Sequence, residues 1–160
     1  MGERPVALNC QGKANVTPGV EDVVSLTLTF ASGGFALVQN SWLDPKKVRE
    51  MTIVGSKKMI VYNDLEPLQK LQIFDQRVDR PPHYDTFAEF QYSYHYGSMY
   101  APHIRQEEPL RAECQHFVQC IVEDKTPVTD GKNGLMVVKL LELSSESLAR
   151  NGAQVSVDAR

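Results

Sequence analysis

The most regular pattern in the chain is the alternation of apolar and polar residues in "VVSLTLTF", residues 23–30. Val24, Leu26, Leu28 and Phe30 share one side, and Ser and Thr dominate the other. "ASGG" then turns the chain and "FALVQNSWL" runs back, so the pattern predicts a β-hairpin. Because the polar side of this hairpin is uncharged, it is suited to partial burial against a partner.

Further strands are predicted on both sides of this hairpin. The segments are "PVALNCQG", "VREMTIVGS" with "KKMIVYND" as a second hairpin around Gly55-Ser56, "LQKLQIFD", and "EFQYSYHY". In the last of these, Phe90, Tyr92, Tyr94 and Tyr96 lie on one face and His95 lies on the other. Aromatic residues are favoured in strands, so a tyrosine stripe of period two indicates sheet packing.

The apolar period changes to that of helices after residue 104. Pro109 suits a first helical turn, and an apolar stripe follows it, predicted to face the core: Leu110, Cys114, Phe117 and Ile121. Cys120 lies off this stripe and is predicted to be partly exposed. A second helix, with Thr129 or Asp130 as its N-cap, carries a wide apolar face from Leu135 to Leu148 and stops at "NG", residues 151–152.

This order of elements predicts an α+β fold in one domain, residues 1–160. We expect a largely antiparallel open sheet of about six strands within residues 5–104, and helices within residues 109–150. The helices would cover one face of the sheet, and the other face would be available for oligomerisation. "AQVSV" near the C-terminus is a candidate for a last short strand.

Composition narrows the classes of partner. The net charge is −3, which argues against nucleic-acid binding, and we expect no membrane association because no apolar run approaches about 20 residues. "MGERPVALNC" has no apolar core typical of a signal peptide. The three cysteines lack metal-ligand spacing and indicate free thiols in the cytoplasm, with no metal site.

Several segments resemble one family, the C-terminal domain of the Gfo/Idh/MocA oxidoreductases (glucose–fructose oxidoreductase, inositol dehydrogenase, MocA). The most specific are "SWLDPKKVREMTIVGSKKM", "EPLRAECQHFV" and "TPVTDGKNGLMVV". "YHYGSMYAPHIRQEEPLR" resembles the branch that oxidises nucleotide-sugar uronates at the 3-position. The resemblance implies a parent enzyme with a Rossmann domain that holds NAD(P), a nucleotide-sugar substrate, and a homo-oligomer formed through the open sheet face.

Motifs that the family uses for catalysis have no counterpart in the sequence. There is no GxGxxG after a strand, no EKP motif with the family's lysine, and no Asp-x-x-x-His on a preceding helix. The chain therefore resembles one half of such an enzyme, and we expect no catalytic residue and no bound cofactor in it. Hydride transfer needs the nicotinamide held close to the substrate carbon, so we expect no dehydrogenase activity from this chain alone.

Candidate substrate contacts are Trp42, Lys47, Arg49, Tyr96 and His103. Cations beside Trp42 suit the phosphates or carboxylate of a nucleotide sugar, while a solvated turn is the alternative explanation for them. Tyr96 suits either the substrate border or a subunit interface. His95 and His103 each suit either a contact with a sugar or an acid group or an ordinary strand or surface position, and the ordinary position is favoured. A second functional hypothesis is a stand-alone, non-catalytic sheet module that dimerises or binds a sugar or protein.

Overall fold

A computed structural model describes residues 3–79 and 93–157 of the chain. The predicted α+β class is confirmed. The described elements are the strands β1 (Pro5–Lys13), β2 (Val23–Phe30), β3 (Phe35–Ser41), β4 (Glu50–Val54), β5 (Met59–Asn63), β6 (Leu71–Asp79), β7 (Ser93–Tyr100) and β8 (Val155–Ser156), and the helices α1 (Pro109–Val122) and α2 (Gly131–Ala149).

The strands form two antiparallel sheets rather than the single sheet of about six strands that the sequence predicts. The first sheet has the order β3-β2-β1-β8 and the second has the order β4-β5-β6-β7. The eight described strands divide after β3, because β4 pairs forward with β5 and leaves β3 at the edge of the first sheet. Alternation within each strand could not show this division, since it carries no information about which strand is the neighbour.

Two compact units contain these sheets. One unit comprises Met1–Pro45 and Ala112–Arg160, and the other comprises Lys46–Arg111. The prediction that residues 1–160 behave as a single domain stays a prediction. Among the described residues, neither helix combines the length and hydropathy needed to cross a lipid bilayer.

The core of the first unit lies between the first sheet and α2. Leu8, Leu143, Val155 and Val157 are buried there, and the partly buried Leu26, Leu28, Met136 and Leu140 pack against them. Leu8 pairs with Leu28, and Cys10 pairs with Leu26, which places the apolar side of the predicted hairpin toward the helix. The alternation read from "VVSLTLTF" is therefore confirmed.

Ser147 connects α2 to the edge of β1. β8 pairs only with Ala7 and Leu8, so on the side of β1 that faces away from β2 no described strand pairs with Cys10. The fully buried Ser147 takes that place: Cys10 N donates to its Oγ at 2.9 Å, and its hydroxyl lies 2.7 Å from the carbonyl oxygen of Ala153. One hydroxyl thus satisfies backbone groups on two segments that would otherwise be buried without partners.

The ends of α2 follow its predicted boundary signals. Asp130 is the N-cap, and its carboxylate accepts a hydrogen bond from Asn133 N at 2.8 Å. The helix stops at Asn151 (φ 55°) and Gly152 (φ 81°), where Gly152 N donates to Ser147 O at 2.8 Å. A Cβ at Gly152 would also lie 2.6 Å from the Gln11 side chain, so this stop needs glycine for both its backbone angle and its space.

The predicted core stripe of α1 is wrong. Leu110, Phe117 and Ile121 are 62–66% exposed, and Cys114 is exposed, whereas Cys120 is buried. Spacing shows which residues share a helix face, but it does not show which face is covered. Here Cys120 is the buried side chain. The neighbouring His116 accepts a hydrogen bond at 3.2 Å from Val128 N, which belongs to the segment that follows the helix.

Asp22 organises the loop between β1 and β2. Its Oδ2 accepts hydrogen bonds from the backbone N–H groups of Asn15 and Val16, both at 2.8 Å, and its Oδ1 accepts one from the Asn15 amide at 2.7 Å. These bonds, the Asn15 side-chain bond first, hold the pKa of the Asp22 carboxyl below its usual value. The carboxylate therefore favours the folded loop while it stays ionised.

Replacing Ser147 with Ala is expected to lower the free energy of unfolding of the first unit by about 1–3 kcal/mol, because buried backbone groups lose their partner. Urea unfolding followed by helical circular dichroism measures this, since α2 belongs to that unit. Ser145→Ala is the control: Ser145 is exposed and bonds only within the helix, to Leu141 O. Equal unfolding midpoints for the two variants would contradict the assignment.

Acidification is expected to destabilise the loop at Asp22. Its folded pKa lies below the value of about 3.9 for an unfolded aspartate, so the unfolded state takes up the proton first as the pH falls. The stabilisation is complete well above that value and is lost as the pH drops through the folded pKa. Urea midpoints measured between pH 3 and pH 7 should fall less steeply for Asp22→Asn than for the parent chain; parallel curves would refute the role given to this carboxylate.

Candidate functional site

The second sheet has two chemically different faces. Because Ile73 pairs with Tyr100 and Arg77 pairs with His95, the side chains of Asp75, Arg77 and His95 share one face. We call this the histidine face; it also carries Met51, Ile53, Ile60, Tyr62, Leu71, Ile73 and Tyr100. The opposite, tyrosine face carries Val54, Met59, Val61, Phe74, Val78, Tyr94, Tyr96 and Met99.

A polar cluster lies on the histidine face. His95 Nε2 is 3.1 Å from Asp75 Oδ2, and Arg77 Nη1 is 3.6 Å from Asp75 Oδ1. The hydrogen bond from His95 is the main cause that holds the pKa of the Asp75 carboxyl below its usual value, and the charges of His95, Arg77 and Lys58 act in the same direction. At neutral pH, Asp75 is therefore a carboxylate with a cation on one side and an imidazole on the other.

Gly97 makes room for this carboxylate. The pairing of β6 with β7 shifts between Phe74 and Gln76, and Gly97 lies in that irregularity. A Cβ at Gly97 would lie 2.7 Å from both Cγ and the backbone oxygen of Asp75, and closer still to Oδ2. The position of the Asp75 side chain, and with it the bond to His95, depends on the absence of a side chain at residue 97.

A second polar cluster surrounds Asp64, after β5. Its carboxylate is 2.9 Å from Lys70 Nζ, 3.6 Å from Arg49 Nη1, and accepts a hydrogen bond from the Tyr62 hydroxyl at 3.0 Å. The hydrogen bond from Lys70 is the main cause that lowers the pKa of Asp64, and the same bond raises the pKa of Lys70. The candidate Arg49 is therefore held at the turn after β5 by an ion pair.

The other candidates from the sequence occupy separate places. Trp42 follows β3 and is 89% exposed, Lys47 lies in the exposed segment before β4, and His103 is exposed after β7. Tyr96 lies on the tyrosine face, 6.3 Å from Tyr94 between ring centroids. Across residues 3–79 and 93–157, no two of the five candidate side chains share a hydrogen bond, ion pair or ring contact, and their roles stay predictions.

The sequence pattern did not indicate Asp75 or Arg77 as site residues, and it favoured an ordinary strand position for His95. The period of two in "LQIFDQRVD" places Asp75 and Arg77 on one face, and it separates His95 from the tyrosines. However, the pairing register and the irregularity at Gly97 bring them together, and neither can be read from the spacing within one strand.

Cys120 lies beside a histidine, but its surroundings are not those of a nucleophilic thiol. Its sulfur is 3.6 Å from His116 Nε2, which accepts the hydrogen bond from Val128 N and is therefore occupied. The thiol is also buried, as is that of Cys10, where burial raises the pKa. In the part of the chain that the structure describes, no group of three His, Cys, Asp or Glu side chains is placed to hold a metal ion.

Comparison with known proteins finds one family model that matches the N-terminal part of the chain. Residues 1–61 match the family model of the GFO/IDH/MocA C-terminal domain. The resemblance to the GFO/IDH/MocA C-terminal domain is confirmed. A comparison with curated protein sequences finds no match.

Solved structures extend the agreement in fold to most of the chain. UDP-N-acetylglucosamine 3-dehydrogenase GnnA from Acidithiobacillus ferrooxidans matches with a TM-score of 0.74 and 19% identity, over 94% of this chain and 42% of its own. Aldose-aldose oxidoreductase from Caulobacter crescentus matches with a TM-score of 0.69 and 20% identity, over 97% and 42%. A levoglucosan dehydrogenase solved with NADH and levoglucosan matches with a TM-score of 0.70 and 18% identity, over 98% and 46%.

The matched structures are longer than this chain. The chain spans less than half the length of each of these three structures. At such identities the matches establish a shared fold.

Replacing Gly97 with Ala is expected to displace the Asp75 carboxylate and break its bond to His95. Long-range ¹H–¹⁵N spectra of the imidazole at neutral pH measure this: the parent chain should show His95 with its proton on Nε2, and the variant a mixture of both tautomers. Gly134→Ala is the matched control, because nothing lies within 4 Å of a Cβ there. An unchanged His95 spectrum in Gly97→Ala would show that the close approach does not position the pair.

Proposed function

We propose that the chain is the substrate-binding and oligomerisation part of an NAD(P)-dependent sugar oxidoreductase. NAD(P) would be held by another part of the complete enzyme, since the sequence has no glycine-rich turn of the dinucleotide-binding type. The nucleotide-sugar substrate and the cytoplasmic location belong to the same proposal. Its main support is the fold, which three sugar oxidoreductases share over 94–98% of this chain.

The exposure of the tyrosine face supports the oligomerisation part of the proposal. Tyr94, Tyr96 and Val54 are 63–76% exposed, and Val78 and Met99 about half exposed. The polar residues that β6 contributes to this face, Gln72 and Gln76, are uncharged. Contiguous exposed apolar surface of this kind is typical of interfaces, and tyrosine and methionine are enriched at them. A second copy of the chain is the occupant we propose.

The second unit supplies groups that suit a nucleotide sugar. Lys47 and Arg49 both lie in the segment before β4, and His103 follows β7. Of the two cations, Arg49 has an ion-pair partner, Asp64, at 3.6 Å. Such groups suit the phosphates of the substrate.

Replacing Tyr96 with Glu is expected to reduce an oligomer to the 18.0 kDa monomer, because it places a charge on the proposed interface. Light scattering after size-exclusion chromatography measures the mass. Tyr100→Glu is the matched control: Tyr100 lies on the same strand, is 64% exposed, and points to the opposite face.

Circular dichroism would show that both variants are folded. Loss of the oligomer in both variants, or in neither, would contradict the assignment of the interface to the tyrosine face.

A further inference from the structure

We propose that His95, oriented by Asp75, is a binding site for a hydroxyl group of a sugar on the histidine face. This inference rests on the proposed function and specifies where and how the substrate would be bound. It concerns a residue outside the five candidates that the sequence singled out.

The chemistry of Asp75 decides which nitrogen of His95 faces a ligand. A carboxylate can only accept hydrogen bonds, so His95 Nε2, at 3.1 Å from Oδ2, must be the donor. The neutral imidazole then carries its proton on Nε2 and presents Nδ1 as an acceptor. Among the described residues, Asp75 is the hydrogen-bond partner of the His95 ring, through Nε2. Nδ1 is therefore available to accept a hydrogen bond from a hydroxyl group.

The Asp75 carboxylate that orients His95 has neighbours on two sides. Gly97 admits the carboxylate into the sheet surface, and Arg77 Nη1 lies 3.6 Å from its other oxygen. A glycine inside a strand weakens that strand, and an ion pair this exposed adds little stability. Stability alone therefore gives a poor account of the arrangement, whereas a fixed imidazole is what a binding site requires.

The surroundings of His95 suit a sugar. Its side chain is 36% exposed and that of Asp75 is 42% exposed, so a ligand can reach both. Among the described residues, Arg77 and Lys58 are the other charged groups that act on the Asp75 carboxylate. Farther along the same face, Ile73 and Tyr100 offer apolar and aromatic surface to the carbon side of a ring. The face stays accessible when the opposite, tyrosine face is covered by a second copy.

The test is a nuclear magnetic resonance titration of the 160-residue chain with two probes, UDP-N-acetylglucosamine and levoglucosan. Binding should shift the Nδ1 resonance of His95, and His95→Gln and Asp75→Asn should each weaken binding about three- to tenfold, the effect of one hydrogen bond. Glu123→Gln is the control. Glu123 is also a partly exposed carboxylate paired with a cation, Lys125, but it lies directly after α1 and not on the second sheet. It should leave the affinity unchanged.

Each outcome separates this inference from the proposed function. Shifts at Arg49 or His103 with His95 unaffected would overturn the inference and leave the substrate-binding proposal intact. Equal affinity of the parent chain and Asp75→Asn would show that Asp75 does not orient the ring for binding. No shift at any residue with either probe would overturn both the inference and the substrate-binding part of the proposed function.

Discussion

The alternation of side chains along β7 gives the second sheet its two chemistries. Tyr94 and Tyr96 point to one face, while His95, between them, points to the other. The irregularity at Gly97 keeps the later residues of the strand in register with β6 and admits the Asp75 carboxylate. Both faces carry exposed side chains, mainly on β4 and β7, so each offers a surface for a different kind of contact.

In the first unit, a side chain of helix α2 completes the hydrogen bonding at the edge of a strand. β8 covers β1 for only two residue pairs, and the hydroxyl of Ser147 then substitutes for the missing strand at Cys10. The buried core between this sheet and α2 is small, and much apolar surface of α1 and α2 stays exposed. Exposed apolar surface of this extent is typical of faces that other protein surfaces cover.

Sequence reasoning predicted the elements better than their assembly. Period two identified β2, β3 and the hairpin of β4 and β5, and the signals at Asp130 and "NG" marked both ends of α2. The division into two sheets depends on pairing between strands, which alternation within a strand does not encode. For the same reason His95 was not distinguished from an ordinary strand histidine, because its partner lies twenty residues away on β6. The burial of Cys120 in place of Cys114 likewise depends on contacts with the segment after α1.

The central claim is that the tyrosine face is covered by a second copy while the histidine face stays open. Hydroxyl-radical footprinting over a range of protein concentrations, read by mass spectrometry, tests it most directly. The account predicts that oxidation of Tyr96 and Met99 falls as the concentration rises, while oxidation of Tyr100 stays constant. Protection of Tyr100 together with Tyr96, or concentration-independent oxidation of all three, would contradict it.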